Sequence, residues 1–152
     1  WEPVPMVVAA QSRPAVRRAA RLGCGILYDS LQTAEVSAGL GAAYREAGGT
    51  GPRIAIRRVW IGDPPEAEMQ AQMDHYRSYA PAAAQKNWEG HQLIAAPTAE
   101  AAADALADFL AAADCDTVNV RIHVKGLTPE QVDGQLDEHP ALVARLRDRL
   151  AG

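Results

Sequence analysis

Apolar and polar residues follow one another in a repeating order along the chain. Short apolar runs that do not alternate are typical of strands buried on both faces of a parallel sheet. Between them lie longer segments whose apolar residues recur with the period of an amphipathic helix. Strands that alternate with helices form right-handed βαβ units, so we predict an α/β fold with a parallel sheet. The predicted strands are residues 4–10, 25–28, 53–61 and 117–124, and the predicted helices are residues 13–22, 29–47, 66–80, 98–113 and two more within 128–150.

Residues 80–97 interrupt this alternation. They show no clear period, and they contain Trp88, Gly90 and His91. Connections of this length without regular structure are uncommon inside a domain and are often functional. We therefore predict a loop or an insertion over this segment.

Capping residues mark several helix starts. Ser12 and Thr98 each stand directly before a predicted helix and are suitable N-cap residues. Thr128 is followed by Pro129, a residue tolerated in a first helical turn, and then by Gln131. This spacing predicts a capping box at the start of the last helical region.

One predicted helix carries a stripe of large side chains, Met69, Met73, Tyr76 and Tyr79. Stripes at helical spacing usually pack against a core. We interpret this one as packing rather than as a ligand surface.

Composition narrows the class of protein. The chain has 152 residues, which suits one domain, and a net charge of −4 that gives no reason to expect a nucleic-acid or membrane partner. No apolar run approaches the ~20 residues that span a bilayer. Only two cysteines occur, Cys24 and Cys115, which favours a reducing cytoplasm over a disulfide framework. No His or Cys spacing of the kind that binds metal occurs, so we expect no metal site.

The ends of the predicted strands are the candidate sites, because ligands of parallel α/β proteins bind at the carboxyl ends of the strands. Gln11, Ser12 and Arg13 follow the first strand and lead directly into a helix. Free N–H groups, the helix dipole, a hydroxyl and a cation at this junction would hold a phosphate. The alternative is an ordinary capped helix with a solvated, arginine-rich face.

The last predicted strand alternates polar Asn119, Arg121 and His123 with apolar residues. Buried polar groups are costly unless they have partners, so this face either lines a polar pocket or lies at a sheet edge in water. Arg57 and Arg58 are adjacent in the third strand, so one of them must point to each face of the sheet.

Three stretches follow one another in the order of a known family: PVPMVVAAQSRPAVRRAARLGCGIL, RIAIRRVWIGDPPEAE and CDTVNVRIHVKGLTPEQV. They resemble the bacterial luciferase-like monooxygenases, in particular the members that use flavin or the deazaflavin F420. The resemblance implies a TIM barrel, of which residues 1–152 match strands five to eight, the C-terminal half of a (β/α)8 fold. The start at Trp1, without a methionine and almost directly on a strand, agrees with a cut through such a barrel.

The resemblance also implies where a cofactor binds. Gln11 and Ser12 match the loop that holds the flavin phosphate in the family, and Arg13 adds its charge there. Tyr28 and Asp29 fall at the strand end that lies near the flavin ring. The resemblance does not separate FMN from F420, because the phosphate loop would serve both.

Catalytic roles follow from the same resemblance. Arg57 matches a pocket-facing arginine, and Arg121 and His123 match the polar face of the last strand. A cation near the ring would stabilise negative charge on the reduced cofactor. Cys24 stands where the family often has aspartate. The segment 80–97 resembles an insertion that helps to close the pocket over the substrate.

The implied function is that of an oxidoreductase, in which a bound FMN or F420 carries the redox chemistry and a small molecule is the substrate. We expect this chain alone to show no turnover, because half of the family's pocket walls are absent. Two alternatives stay open. One is a non-catalytic ligand-binding α/β module with an open four-stranded sheet, and the other is a half-barrel that forms a homo-oligomer to complete the barrel.

Overall fold

The computed structural model describes residues 4–151, so Trp1 lies outside the described residues. Strands and helices alternate along this part of the chain, which confirms the predicted α/β class. The strands are β1 (Val7–Ala9), β2 (Gly25–Leu27), β3 (Arg53–Ile61), β4 (Leu93–Ala96) and β5 (Thr117–Arg121). The helices are α1 (Arg13–Arg21), α2 (Ala34–Glu46), α3 (Glu66–Tyr79), α4 (Ala82–Gln85), α5 (Ala99–Ala112) and α6 (Pro129–Ala151).

The five strands of the described region form one parallel sheet, and β3 is its centre. β2 pairs with β1 and with the first residues of β3, while β4 pairs with the last residues of β3. β5 pairs with β3 from Ile54 to Arg58. Arg58 therefore has a partner on each side, Leu93 in β4 and Arg121 in β5, which places β4 and β5 on opposite edges of β3.

The strand β4 was not among the strands predicted from the sequence. The segment 80–97 contains the short helix α4 and the strand β4, so the prediction of an irregular loop is wrong for these eight residues. The apolar run of β4 is only four residues long, too short to show a period. Its extended conformation comes instead from pairing with Arg58 to Ile61 of β3, a tertiary contact.

The first and last strands are shorter and more exposed than predicted. β1 has an exposed side chain at Val7, 42% accessible, and Val7 shares this exposed face of the strand with Ala9, whereas Val8 on the other face is half-buried. β5 ends at Arg121 rather than at residue 124. Beyond Arg121, side chains replace the backbone partners of the sheet: the carbonyl of His123 accepts from Arg58 Nε at 3.4 Å.

Two helix boundaries also differ from the predictions. α2 begins at Ala34 rather than at residue 29, because the Asp29 carboxylate accepts from the N–H of Leu31 and holds a turn there. The two helices predicted after residue 128 are one continuous helix, α6, with Pro140 inside it.

The predicted caps of the later helices are confirmed. The hydroxyl of Thr98 accepts from the N–H of Ala101 at 3.2 Å. At the start of α6, the N–H of Gln131 donates to the Thr128 hydroxyl and the Gln131 side chain accepts from the N–H of Thr128. This reciprocal pair is a capping box. None of the helices within residues 4–151 is both long and apolar enough to cross a membrane.

Two clusters of buried side chains hold the layers together. One packs β3 against α5 and α6, and the other packs α1 and α2 against the first two strands. Small alanines let α5 approach the sheet closely. The first cluster includes Ala55, Val59, Ile61, Ala102, Ala103, Leu106, Leu110, Leu142 and Leu146, and the second includes Ala10, Val16, Ala19, Ile26, Tyr28, Leu40, Ala43 and Tyr44.

Two buried polar side chains tie these layers to the sheet. Gln135 of α6 accepts from the N–H of Ile61 at 2.9 Å and donates to its carbonyl at 2.8 Å, so it acts as a strand partner at the end of β3. The hydroxyl of Tyr44 donates to the Cys24 carbonyl at 2.7 Å and accepts from the N–H of Gly51 at 2.9 Å. Both contacts satisfy backbone groups that would otherwise be buried without a partner.

The junction of β2 and β3 allows a test of this packing. A Cβ atom on Gly25 would lie 2.7 Å from the carbonyl oxygen of Pro52, which already accepts from the N–H of Ile26. We expect Gly25→Ala to lower the free energy of unfolding by about 1–3 kcal/mol, measured by urea denaturation. Gly39→Ala is the control, because nothing lies within 4 Å of its Cβ position inside α2. That change should raise stability by about 0.5–1 kcal/mol. Unchanged stability in Gly25→Ala would contradict the described packing.

Candidate functional site

Two adjoining depressions lie where β1 and β2 end. The first, here the aromatic cavity, has a volume of about 380 Å³, and the second, here the α1 groove, has a volume of about 600 Å³. Gln11 lines both of them. The aromatic cavity is lined by Gln11, Asp29, Ser30, Leu31, Tyr76, Tyr79, Ala80, Pro81, Ala84 and Trp88. The α1 groove is lined by Gln11, Ser12, Arg13, Glu35, Val36, Gly39, Leu40 and Asn87.

The α1 groove contains the junction that the sequence predicted as an anion site. Ser12 stands at the N-cap position of α1 with extended backbone angles, φ −148° and ψ 153°. Its side chain makes no capping hydrogen bond within the described residues, so the hydroxyl is free to meet a ligand. Arg13 and Ala15 belong to the first turn, whose N–H groups have no partner inside the helix. The groove thus offers N–H groups, a hydroxyl and the cation of Arg13 together.

Asp29 and Gln11 join the two strand ends. Gln11 Nε2 donates to Asp29 Oδ2 at 3.0 Å, and the N–H of Leu31 donates to Asp29 Oδ1 at 2.9 Å. Both oxygens of this carboxylate therefore have a donor. The structure brings Gln11, Ser12, Arg13 and Asp29, four of the five predicted cofactor-binding residues, to neighbouring walls.

Tyr28, the fifth, lines neither depression. Its ring is buried in the cluster between α1, α2 and the first strands. The hydroxyl has no hydrogen-bond partner among the described residues, and burial raises the pKa of this phenol above its ordinary value. The strand alternation that brings Asp29 to the cavity directs Tyr28 towards the helices.

Arg57 lies on the face of β3 that α5 covers. Only 1% of it is accessible, and its guanidinium lies 3.7 Å from the centre of the Phe109 ring. It donates to the carbonyls of Ser30 at 2.9 Å and Ile56 at 2.8 Å, and also to that of Gln32. Burial lowers the pKa of Arg57 to about 10, so the side chain is still charged at neutral pH. Its charge stands behind Ser30, one wall of the aromatic cavity.

Arg58 points to the opposite face and reaches the aromatic cavity through Tyr76. Its Nη2 donates to the Tyr76 hydroxyl at 3.0 Å, and its guanidinium lies 5.8 Å from the centre of that ring. Gln72 Nε2 donates to the same hydroxyl at 2.7 Å. The sequence signal for Arg58 existed, since adjacent strand residues must face opposite sides, but only Arg57 was assigned a role.

Arg121 and His123 are exposed. Arg121 Nε donates to Asn119 Oδ1 at 3.2 Å on the edge strand β5, and His123 follows that strand. Neither lines the aromatic cavity or the α1 groove. The polar residues share the exposed face of β5, while Val118 and Val120 pack against the core on the other face, and the assignment of Arg121 and His123 to the site stays a prediction.

Sequence reasoning missed the aromatic walls of the cavity. Met69 and Met73 are buried, as the interpretation of the stripe as packing requires, but Tyr76 and Tyr79 line the aromatic cavity. Trp88 joins them from the segment after α4. The sequence does indicate this difference, because the two tyrosines lie about one and two turns after Met73, at the end of α3 that leads into the predicted insertion.

Neither cysteine lines the aromatic cavity or the α1 groove. Burial raises the pKa of Cys115 to about 12, and Cys24 is buried. The thiolate is the reactive form, so a thiol with this pKa is almost entirely unreactive at neutral pH. The side chains of the two depressions are suited to binding and orienting ligands.

Comparisons with known proteins concern the family and the fold. The family model described as luciferase-like monooxygenase matches residues 1–145. Among solved structures, the chain is similar to apo-MsnO8, with a TM-score of 0.58 at 17% identity over 96% of this chain and 52% of that one. It is also similar to EDTA monooxygenase (EmoA) from Chelativorans sp. BNC1, with a TM-score of 0.54 at 19% identity over 98% of this chain and 49% of that one. The two structures show a shared fold, and this chain spans about half their length. A search of curated proteins gives no significant match.

The two arginines assigned to catalysis should differ in their effect on stability. Arg57→Met leaves the carbonyls of Ser30 and Gln32 without their donor, so we expect the free energy of unfolding to fall by about 2–4 kcal/mol. Arg121→Met, at an exposed edge position, should change it by less than about 0.5 kcal/mol. Urea denaturation followed by circular dichroism measures both. Equal losses in the two variants would contradict the placement of Arg57.

Proposed function

The chain belongs to the luciferase-like monooxygenase family, and from that premise we propose that it is part of a flavin- or F420-dependent oxidoreductase acting on a small organic molecule. The observation that carries the proposal is the α1 groove beside the aromatic cavity. One depression offers donors for a phosphate, and the next offers aromatic walls for a ring or a substrate. Both lie at the carboxyl ends of parallel strands, where ligands of such folds bind.

The α1 groove supports the placement of the cofactor phosphate. The uncommitted Ser12 hydroxyl, the first-turn N–H groups and the charge of Arg13 are the donors that a phosphate accepts from. Gln11 lines both depressions, so a cofactor that extends from the groove would pass it on entering the aromatic cavity. These donors serve FMN and F420 alike.

We propose that the reacting part of the cofactor and the substrate meet in or beside the aromatic cavity. When bound, the cofactor supplies the redox chemistry. The protein orients it and excludes water, with Asp29 as an acceptor on the wall. Arg57 acts through the Ser30 carbonyl as a buried positive charge behind that wall. We assign Arg121 and His123 to the same reaction as exposed groups at the end of β5, and Tyr28 to the support of the strand end.

The segment 80–97 supports the proposed closure of the pocket. Pro81, Ala84 and Trp88 of this segment line the aromatic cavity, and Gln32 forms an isolated antiparallel bridge with Trp88. We propose that residues 1–152 correspond to strands five to eight of a barrel and that this segment is its insertion over the substrate. Both cysteines are free, which suits the reducing cytoplasm in which we place the enzyme.

Cofactor titration tests the phosphate site. We expect Arg13→Ala to weaken FMN binding about tenfold, measured by quenching of flavin fluorescence, since it removes a charge-assisted contact. Riboflavin lacks the phosphate, so its affinity should not change. Arg17→Ala is the matched control, a further exposed arginine of α1 that does not line the groove. F420 is titrated in parallel to separate the two cofactors.

Two results would contradict this proposal. If neither FMN nor F420 bound, the chain would be better described as a ligand-binding module of another class. If Arg13→Ala weakened riboflavin and FMN equally, the phosphate would not lie at the α1 groove.

A turnover assay tests whether this chain by itself forms a complete catalytic site. We expect the purified 152-residue chain to show no turnover with reduced FMN or F420, because the chain spans about half the length of the structures it resembles. Absorbance of the cofactor measures the reaction, and gel filtration run alongside reports dimer formation. Turnover by a dimer would favour the alternative in which two copies complete a barrel.

A further inference from the structure

The Tyr76 hydroxyl has a proton to donate. Its oxygen accepts from Arg58 Nη2 and from Gln72 Nε2, at 3.0 and 2.7 Å. Arginine can only donate, and the amide of Gln72 is held in one orientation because its Oε1 accepts from the N–H of Lys125 at 2.9 Å. The Tyr76 oxygen is therefore an acceptor in both contacts. Within residues 4–151 no group accepts its proton, and Tyr76 lines the aromatic cavity.

The cation behind this hydroxyl is buried without a carboxylate. Arg58 is 4% accessible, and none of the ion pairs in the described part of the chain includes it. Its partners are the hydroxyl of Tyr76 and the carbonyl of His123. A buried charge that lacks an opposite charge is unfavourable, so a bound anion close to it would be stabilised.

Two other charged groups lie at or behind the cavity, and both have hydrogen-bond partners. Asp29 accepts from Gln11 and from the N–H of Leu31, one donor at each carboxylate oxygen. Arg57 on the far face donates to three carbonyls and also feels the charge of Asp29. Arg58 is buried with no carboxylate of the described residues beside it, and Tyr76 contacts Arg58 and also lines the cavity.

We propose that the Tyr76 hydroxyl, held by Arg58 and Gln72, binds a carboxylate oxygen of a ring-bearing organic acid in the aromatic cavity. Tyr79 and Trp88 supply faces on which a ring stacks, and Leu31 supplies apolar surface. Tyr76 is the group that touches the ligand, and Arg58 is a positioning residue that acts through it. Only the description of this ligand as a substrate rests on the proposed function, since the binding itself needs no cofactor.

Benzoate is the probe, as a small ring that carries a carboxylate. The indole N–H signal of Trp88, assigned by its loss in Trp88→Phe, reports binding in a ¹H–¹⁵N spectrum of the chain without cofactor. We expect a saturable shift of this signal with benzoate, and we expect Tyr76→Phe to weaken the affinity about tenfold. Ser78→Ala removes a hydroxyl from the same helix without touching the cavity and should leave the affinity unchanged.

A second pair of measurements separates positioning from a loss of structure. Arg58→Met should weaken benzoate about tenfold, while the affinity for the neutral analogue benzyl alcohol should change less than threefold. A merely structural role of Arg58 would weaken both ligands equally. Circular dichroism of each variant shows whether the fold is retained, and Tyr76→Phe carries the test if Arg58→Met does not fold.

Three outcomes would overturn the proposal. They are the absence of a Trp88 shift up to the solubility limit of benzoate, an unchanged benzoate affinity in Tyr76→Phe, and equal losses for benzoate and benzyl alcohol in Arg58→Met. Each of these results leaves the cofactor site in the α1 groove untouched, because FMN binding is measured separately. Failure of FMN to bind, in turn, leaves the carboxylate site standing.

Discussion

The rest of the structure depends on the burial of β3. Its residues are buried from Ala55 to Ile61, and three other strands pair with its two edges. Two adjacent arginines lie within this buried run, and a buried cation must find acceptors or pay a large desolvation cost. Arg57 and Arg58 therefore require hydrogen-bond acceptors on the two faces of the sheet, one set on each face.

Each arginine organises a different wall of the site. Arg57 gathers the carbonyls of Ser30 and Gln32, which holds the turn after β2 against the sheet and so places Asp29 and Leu31 at the cavity. Arg58 orients Tyr76 and so sets the face that α3 presents. The opposite end of the sheet is closed by ion pairs, with Arg53 3.3 Å from Asp116 and 3.7 Å from Asp114. The aromatic cavity and the α1 groove lie at the other end, where β1 and β2 end.

The predictions from the sequence succeeded where the signal is local. The order of strands and helices, the capping box at Thr128 and the junction at Ser12 each rest on residues only a few positions apart. The predictions failed where an element depends on a tertiary contact or on a side chain that holds a turn. β4 has no period of its own and exists because it pairs with β3, and α2 starts late because Asp29 holds a turn. The exposure of alternate side chains of β1 and β5 also depends on which face of each strand other elements cover.

The sequence by itself determined the α/β class, the junction of strand and helix at Ser12, and the family to which the chain belongs. Hydrophobic period and short motifs are properties of neighbouring residues, so they can be read along the chain. Only the tertiary structure decided that Arg57 faces the helices, that Arg58 backs Tyr76, and that Tyr76 lines a cavity with Trp88. These outcomes depend on where buried charges find partners, and those partners come from segments distant in sequence.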